Sequence, residues 1–305
     1  MTSISLPIAH HGNEELPAEA MGDRLRRYAL ALGYLVRPVR IKDAPGITLG
    51  TLRDLVIAPP RLPNADRATG KAGFAGIVAD TSPEAILAAG RLGFYPSAHM
   101  GPLKWWSPPQ RAIMALGDVT LAKRFRRTLR TTKMTVAIDQ DFIGTMRACA
   151  APRPGRTPLT WITPRAMRLY ADLHAAGYAH SVEVRDEEGT LVGGLFGTAI
   201  GPVFSAMSMF HTANDASKIA IVSLYHHLET WGFSAVDHQV LSPWVETLGG
   251  RTIERATYRS LLGNAGPDLA PGRWSAVHTP AATSEWQPRP VDLGLPPRDG
   301  VAEPE

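Results

Sequence analysis

Val203-Phe204-Ser205-Ala206-Met207-Ser208-Met209-Phe210, followed by Asn214-Asp215-Ala216-Ser217-Lys218 and then by Val236-Asp237-His238-Gln239-Val240, decides how this chain folds. The first segment reads as an apolar strand, the second as a helix start, and the third as a strand carrying a carboxylate and a carboxamide. Side chains alternate across a strand, so Asp237 and Gln239 are expected on one face and Val236, His238 and Val240 on the other. Upstream, alternating runs at 180–184, 191–198 and 202–209 are separated by turns with Glu188-Gly189 and Gly201-Pro202. A meander of strands, then a helix over 217–232 and a further strand, predicts an α+β arrangement.

Working outward, helical spacing of Met21, Leu25, Tyr28 and Leu32 predicts a helix over 18–36 with Arg24, Arg26 and Arg27 on its other side. Ala58-Pro59-Pro60-Arg61-Leu62-Pro63 and the glycine-containing stretch 69–75 read as a linker. A helix starts at Thr81-Ser82-Pro83-Glu84, where a hydroxyl caps and Pro83 suits the first helical position. Another is expected over 164–177. The organisation is therefore an N-terminal extension and linker at 1–75, a small N-terminal domain at 76–115, a larger domain at 116–265, and a Pro-rich, disordered tail at 266–305.

Composition excludes several classes. The 305 residues, 44% hydrophobic and 20% charged, suffice for a sizeable core, and the net charge of +4 matters only where charges cluster. Cys149 is the one cysteine, which excludes an internal disulfide and a cysteine-based metal site and fits a reducing cytoplasm. No secretory leader pattern or bilayer-length apolar run occurs, so no membrane role is expected. The ten histidines fall into no ligand spacing and no metal is expected. Nucleophile-elbow, P-loop and dinucleotide fingerprints do not occur either.

Positive charge does cluster. Lys123, Arg124, Arg126, Arg127, Arg130 and Lys133 lie in a run without an acid, with Phe125 and Leu129 four apart, so one helical face is apolar and the rest cationic. Such a face suits a phosphate backbone, or is simply a solvated surface. Trp105-Trp106 and Trp161 lie in turn-rich stretches, as core anchors or as stacking platforms.

The ordered set Trp105-Trp106-Ser107-Pro108, Arg147-Ala148-Cys149-Ala150, Thr160-Trp161-Ile162-Thr163, Tyr178-Ala179-His180-Ser181-Val182-Glu183-Val184, Leu191-Val192-Gly193-Gly194-Leu195-Phe196-Gly197, Ser208-Met209-Phe210, Asp215-Ala216-Ser217-Lys218 and Asp237-His238-Gln239 strongly resembles the leucyl/phenylalanyl-tRNA protein transferase family. The resemblance covers roughly 76–263. It implies a GNAT-like (acetyltransferase-like) domain behind a smaller N-terminal one, with Leu or Phe moved from aminoacyl-tRNA to a protein N-terminus. The donor is then a substrate and no cofactor is implied.

By the same resemblance, Asp237 and Gln239 sit at the reaction centre, with Gln239 orienting the attacking amine and Asp237 fixing the Gln239 amide. Leu195, Phe204, Met209 and Val236 form the apolar pocket for the transferred side chain, Trp161 holds the aminoacyl-adenosine, and the run from Lys123 to Arg130 faces tRNA. An aminoacyl ester is already activated, and an α-amine has a pKa of about 7.7–8.0, so few strong acids or bases are needed.

Two departures stand out. Met207 occupies a place where the family carries an acid associated with a basic acceptor residue, and Ser97 one where Trp or Met is usual. They leave open a related enzyme that acylates a small-molecule amine or a particular peptide, and a non-catalytic tRNA or peptide binder.

Overall fold

Residues 203–211 and 235–237 become neighbouring strands at the centre of a seven-stranded sheet. In the computed structural model, which describes residues 20–35, 42–153, 158–263 and 271–295, the chain begins with helices α1 (Met21–Leu35) and α2 (Ala44–Val56). Strand β1 (Phe74–Ile77), helix α3 (Pro83–Arg91) and strands β2 (Tyr95–Ser97) and β3 (Lys104–Trp106) follow. β1, β3 and β2 make a small antiparallel sheet in that order. Ser82 caps α3 by accepting from the Ala85 N–H, as its position before Pro83 predicts.

The large sheet takes β4 (Gln110–Ala115), β5 (Thr135–Ile138), β6 (Ala179–Arg185), β7 (Leu191–Ile200), β8 (Val203–His211), β9 (Ala235–Asp237) and β10 (Arg251–Glu254). Their spatial order is β10-β4-β9-β8-β7-β6-β5. All pairs are antiparallel except β8 with β9, which are parallel because helix α7 (Ala216–Thr230) carries the chain across between them. The fold is thus mixed α+β.

On one face lies α7, and its first turn approaches so closely that a Cβ on Gly193 would sit 2.5 Å from that of Ala216. With it come α4 (Lys123–Thr131), α8 (Pro243–Thr247) and α10 (Pro280–Glu285). The other face is covered by α5 (Phe142–Ala150), α6 (Pro164–Ala175) and α3. Helix α9 (Arg255–Gly263) follows β10 and closes the β4 end.

Two boundaries read from the sequence move. β4, assigned to a small domain at 76–115, is an internal strand of the large sheet, and Ser107 N–H bonds the Gly73 carbonyl across the expected linker. α2 also docks on β1, where buried Asp54 accepts from the Ile77 N–H at 3.0 Å. The segments on either side of the prolines at 58–63 are thus in contact. Parts of the expected extension and tail (1–19, 36–41, 264–270 and 296–305) lie outside the described residues.

The tail reading is corrected at 271–295. Trp274 is buried and stacks on His180 at 3.6 Å, and the buried Trp286 donates its indole N–H to Glu229 Oε2 at 2.9 Å. Arg126 donates to the carbonyls of Ser284 and Trp286. Proline-rich composition hid two aromatic anchors, each able to bury about 150–250 Å². His227 ties the same strap: its Nδ1–H donates to the Ser223 carbonyl, and its Nε2 accepts from the Val277 and His278 N–H groups.

Burial holds the His227 imidazole down at about 4, against an ordinary value near 6.5. Between those values the unfolded chain binds a proton that the native state does not, so stability is full above about pH 6.5 and falls as the pH drops toward 4. The thermal midpoint is therefore expected to fall between pH 7.5 and 5, and His227→Gln to shrink that fall. An equal fall in both proteins would show that His227 is not a source of it.

Candidate functional site at the parting of two strands

β8 and β9 share three residue pairs, Val203 with Ala235, Phe204 with Val236 and Ser205 with Asp237, and then part. β8 runs on to His211, while the chain beyond Asp237 turns away. The turn is tight. Gln239 has φ +62°, and the Val240 N–H bonds the His238 carbonyl at 2.6 Å, which makes a three-residue γ-turn centred on Gln239. A left-handed non-glycine residue costs about 1–3 kcal/mol and persists only where its surroundings hold it.

Asp237 supplies that hold. It is 0% exposed, and its Oδ1 accepts from the Gln239 backbone N–H at 2.8 Å. A charge-assisted hydrogen bond contributes about 1.5–3 kcal/mol, the same size as the conformational cost. The Ala112 N–H, on β4, takes the Gln239 carbonyl. The expected alternation therefore stops at Asp237: Gln239 is not its strand neighbour on one face, and Asp237 binds the Gln239 backbone, not its amide. The Gln239 Nε2 instead donates to Met207 Sδ at 3.1 Å.

The Asp237 carboxylate is itself fully engaged. Arg111, 2% exposed, pairs with it through Nη2, and through Nε at 3.2 Å, while its Nη1 donates to the Gly93 carbonyl. Tyr258 OH at 3.1 Å and Ser205 Oγ at 3.3 Å donate to Oδ2. The guanidinium lies over the Tyr258 ring at 4.4 Å and the Tyr95 ring at 5.1 Å. Burial works against the Arg111 charge, but the Asp237 carboxylate outweighs it and raises the pKa. Burial, then the nearby carboxylate, pushes the Tyr258 phenol up as well. Both groups keep their protons at all ordinary pH. His238 differs: burial holds its ring at about 4, so it is neutral, and its Nε2 meets Tyr225 OH at 2.6 Å.

Leu195, Phe204, Met209 and Val236, expected to form one apolar pocket, share one face of the sheet. Leu195, Phe204 and Val236 are fully buried on the α7 face, joined there by half-buried Met209, which pairs with Leu195 across β7 and β8. Met207 is buried on the opposite face, as is the half-buried Trp161, whose ring meets Tyr170 at 5.8 Å and Phe196 at 6.2 Å. A bulge in β8 between its pairs with Phe196 and Gly197 adds a residue at this point. Met207, Arg111, Tyr95, Tyr170, Ser205 and Tyr258 border a cavity of about 20 Å³. Trp105 is a core anchor, and Trp106 donates to the Ser97 carbonyl.

The basic helix α4 divides too. Leu129 is buried, and Phe125 meets Trp244 edge-on at 6.4 Å. Arg126 holds the strap, and Arg130 approaches Glu285 at 3.6 Å, so these two cations face α10. Lys123, Arg124 and Arg127 are exposed. Arg124 and Phe125 border an open cleft of about 350 Å³, with Lys218, Asp215 and Trp244 on its other sides. Lys218 pairs with Asp215 at 2.8 Å. Among the described residues no group of three or more His, Cys, Asp or Glu is placed to hold a metal, and no helix is long and apolar enough to cross a membrane.

Sequence reasoning missed Arg111, Tyr258 and Ser205. A signal existed for Arg111, which opens the apolar run Ala112-Ile113-Met114-Ala115-Leu116, where a cation demands a partner. Tyr258 and Ser205 carried none.

The profile described as leucyl/phenylalanyl-tRNA protein transferase matches residues 113–263. A protein of that name from Rhodopseudomonas palustris (strain HaA2) is 40% identical over 190 residues, which is 61% of this chain and 84% of that protein. One from Aromatoleum aromaticum is 42% identical over 201 residues, 64% of this chain and 83% of that protein. The solved structure of L-PGS from Bacillus licheniformis is similar at 15% identity with a TM-score of 0.32, over 44% of this chain and 47% of that one. This chain spans less than half of that protein.

Removing one partner of a buried ion pair strands the other charge and typically costs about 3–5 kcal/mol. Arg111→Met is expected to lower unfolding free energy by that amount in urea titration. A loss below about 1 kcal/mol would show the pair to be solvated.

Proposed function

Because the chain belongs to the leucyl/phenylalanyl-tRNA protein transferase family, we propose that it takes Leu or Phe from aminoacyl-tRNA and joins it to the α-amino group of a protein or peptide N-terminus. The observation that carries this is the 40% identity over 84% of a relative bearing that name. In the reaction the amine nitrogen bonds to the ester carbonyl carbon, the carbon–oxygen bond to the ribose breaks, and the proton lost by the amine ends on the ribose oxygen. No cofactor takes part, and the donor is a substrate. The GNAT-type assignment is part of this proposal; the antiparallel meander closed by a parallel strand through α7 supports it. We place the transferase unit at 110–295, with a smaller unit before it, and the protein in the cytoplasm, in keeping with its buried lone thiol.

Gln239 stands where the strands part. Its Nε2 is taken by Met207 Sδ, which leaves Oε1 to accept from the attacking amine. Asp237 acts by holding the Gln239 backbone and is not a proton acceptor, since Arg111, Tyr258 and Ser205 already occupy its oxygens. Met209, half-buried at the edge that β9 leaves open, borders the transferred side chain, while Leu195, Phe204 and Val236 pack behind it. Trp161 is assigned to the aminoacyl-adenosine. The cleft beside Arg124, Lys218 and Trp244 offers cations and an aromatic face to the RNA end.

Purified protein is expected to transfer radiolabelled Leu or Phe from tRNA to peptides, and absence of transfer from either donor to any first residue would sink the proposal. Replacing Arg124 and Arg127 by Ala should weaken all aminoacyl-tRNAs alike and reduce the slope of log affinity against log salt by roughly 1.5, from two lost phosphate contacts. Arg126→Ala, which faces the strap, should lower the thermal midpoint and leave that slope alone; the reverse pattern would exchange their roles.

Met207 bears on the acceptor. It is 8% exposed and apolar, so an Arg or Lys side chain brought beside it loses water and gains no partner. Acceptors beginning with Arg or Lys are expected to be poor, and Met207→Glu should improve their transfer by about tenfold or more through a charge-assisted bond. Efficient, selective labelling of those peptides by the natural chain, unchanged in Met207→Glu, would leave ordinary basic-acceptor specificity in place.

A further inference from the structure

We propose that Arg111 and Tyr258 are positioning residues for transfer: together they clamp the Asp237 carboxylate so that it holds the strained γ-turn from which Gln239 presents its amide. The inference rests on the transferase reading of the site and adds two residues to it, from β4 and from α9, that touch no substrate.

The clamp has three parts, each with a direct geometric consequence. Arg111 meets the carboxylate through two nitrogens and is itself fixed by the Gly93 carbonyl and by the Tyr95 and Tyr258 rings, so the guanidinium has one orientation. Tyr258 OH and Ser205 Oγ converge on Oδ2. With that oxygen fully engaged, Oδ1 is left to the Arg111 Nε and the Gln239 N–H, and the carboxylate cannot swing away from the turn. The Gln239 carbonyl is bound by Ala112, on the same strand as Arg111, so that strand grips the turn on both sides. A residue with φ +62° reverts to the commoner negative region when its hydrogen-bond acceptor loosens. Reversion would swing the Gln239 side chain away from Met207 and from the opening between β8 and β9. A purely structural ion pair could have placed its acid anywhere in the core; here the acid is two residues from the amide it orients.

Tyr258→Phe tests this with the least disturbance, because it deletes one hydrogen bond to Asp237 and keeps the ring over Arg111. Its kcat for transfer is expected to fall about tenfold, the loss of one charge-assisted bond. KM for aminoacyl-tRNA and the far-ultraviolet circular dichroism should stay unchanged. In a Gln239→Gly background, where glycine takes the positive φ without cost and no amide remains to be aimed, Tyr258→Phe should cost nothing further. Hydrogen–deuterium exchange supplies a readout independent of activity: the peptide spanning 236–241 should exchange faster in Tyr258→Phe, and that spanning 179–185 should not. Arg111→Lys, which keeps the charge and loses the two-nitrogen contact, should behave like Tyr258→Phe. An unchanged kcat in folded Tyr258→Phe, the same fold-loss in both backgrounds, or unchanged exchange at 236–241 would each overturn the clamp. Wild-type protein inactive with both donors would instead overturn the transferase reading, and the exchange result would still decide whether the clamp exists.

Discussion

The ion pair between Arg111 and Asp237 ties together the parts of the molecule that matter most. Its two members lie on neighbouring strands β4 and β9, Tyr258 joins from α9, Ser205 from β8, and Gly93 from the turn after α3. A carboxylate with no exposure is tolerable only when its oxygens are saturated and its charge balanced. Meeting that condition draws five elements to one point, beside the place where the central strands separate. The requirement of a buried charge thereby becomes a constraint on the architecture around it.

The separation of β8 and β9 is the second constraint. Parallel pairing through a crossover helix lasts three residues and ends at Asp237, so β8 continues with one edge no longer covered by β9. The opening lies between two differently lined faces, one packed against α7 with Leu195, Phe204 and Val236, the other holding Met207, Phe196 and Tyr170. Gln239 stands at their junction because its turn is left-handed.

The strap at 271–295 divides the cations of helix α4. Arg126 and Arg130 of the cationic helix face α10, while Lys123, Arg124 and Arg127 are exposed and Arg124 borders a cleft with Trp244 and Lys218. One run of charge in the sequence is therefore split between the strap and solvent. Arg126 and Arg130 are four apart and share a side, and α10 packs against it.

The meander, one helix start and the family were legible along the chain. Period-2 alternation gave the meander of β6, β7 and β8, capping signals gave α3, and the ordered motifs from Trp105 to Gln239 gave the transferase resemblance, because each of these is a local pattern. Strand alternation failed at Gln239, since the γ-turn that re-aims it is held by residues up to 128 positions away in the chain, among them Arg111. The membership of the site was likewise decided only in three dimensions. Met207 and Met209 are two apart and by alternation would share a face, but the bulge in β8 leaves Met209 with Leu195, Phe204 and Val236 on the α7 side and Met207 on the opposite one. The tail reading failed for a related reason: average composition counts prolines, whereas two tryptophans that find a core outweigh them. Local pattern is written along the chain; the partner that satisfies a buried charge, or fills a core, is fixed only when distant segments meet.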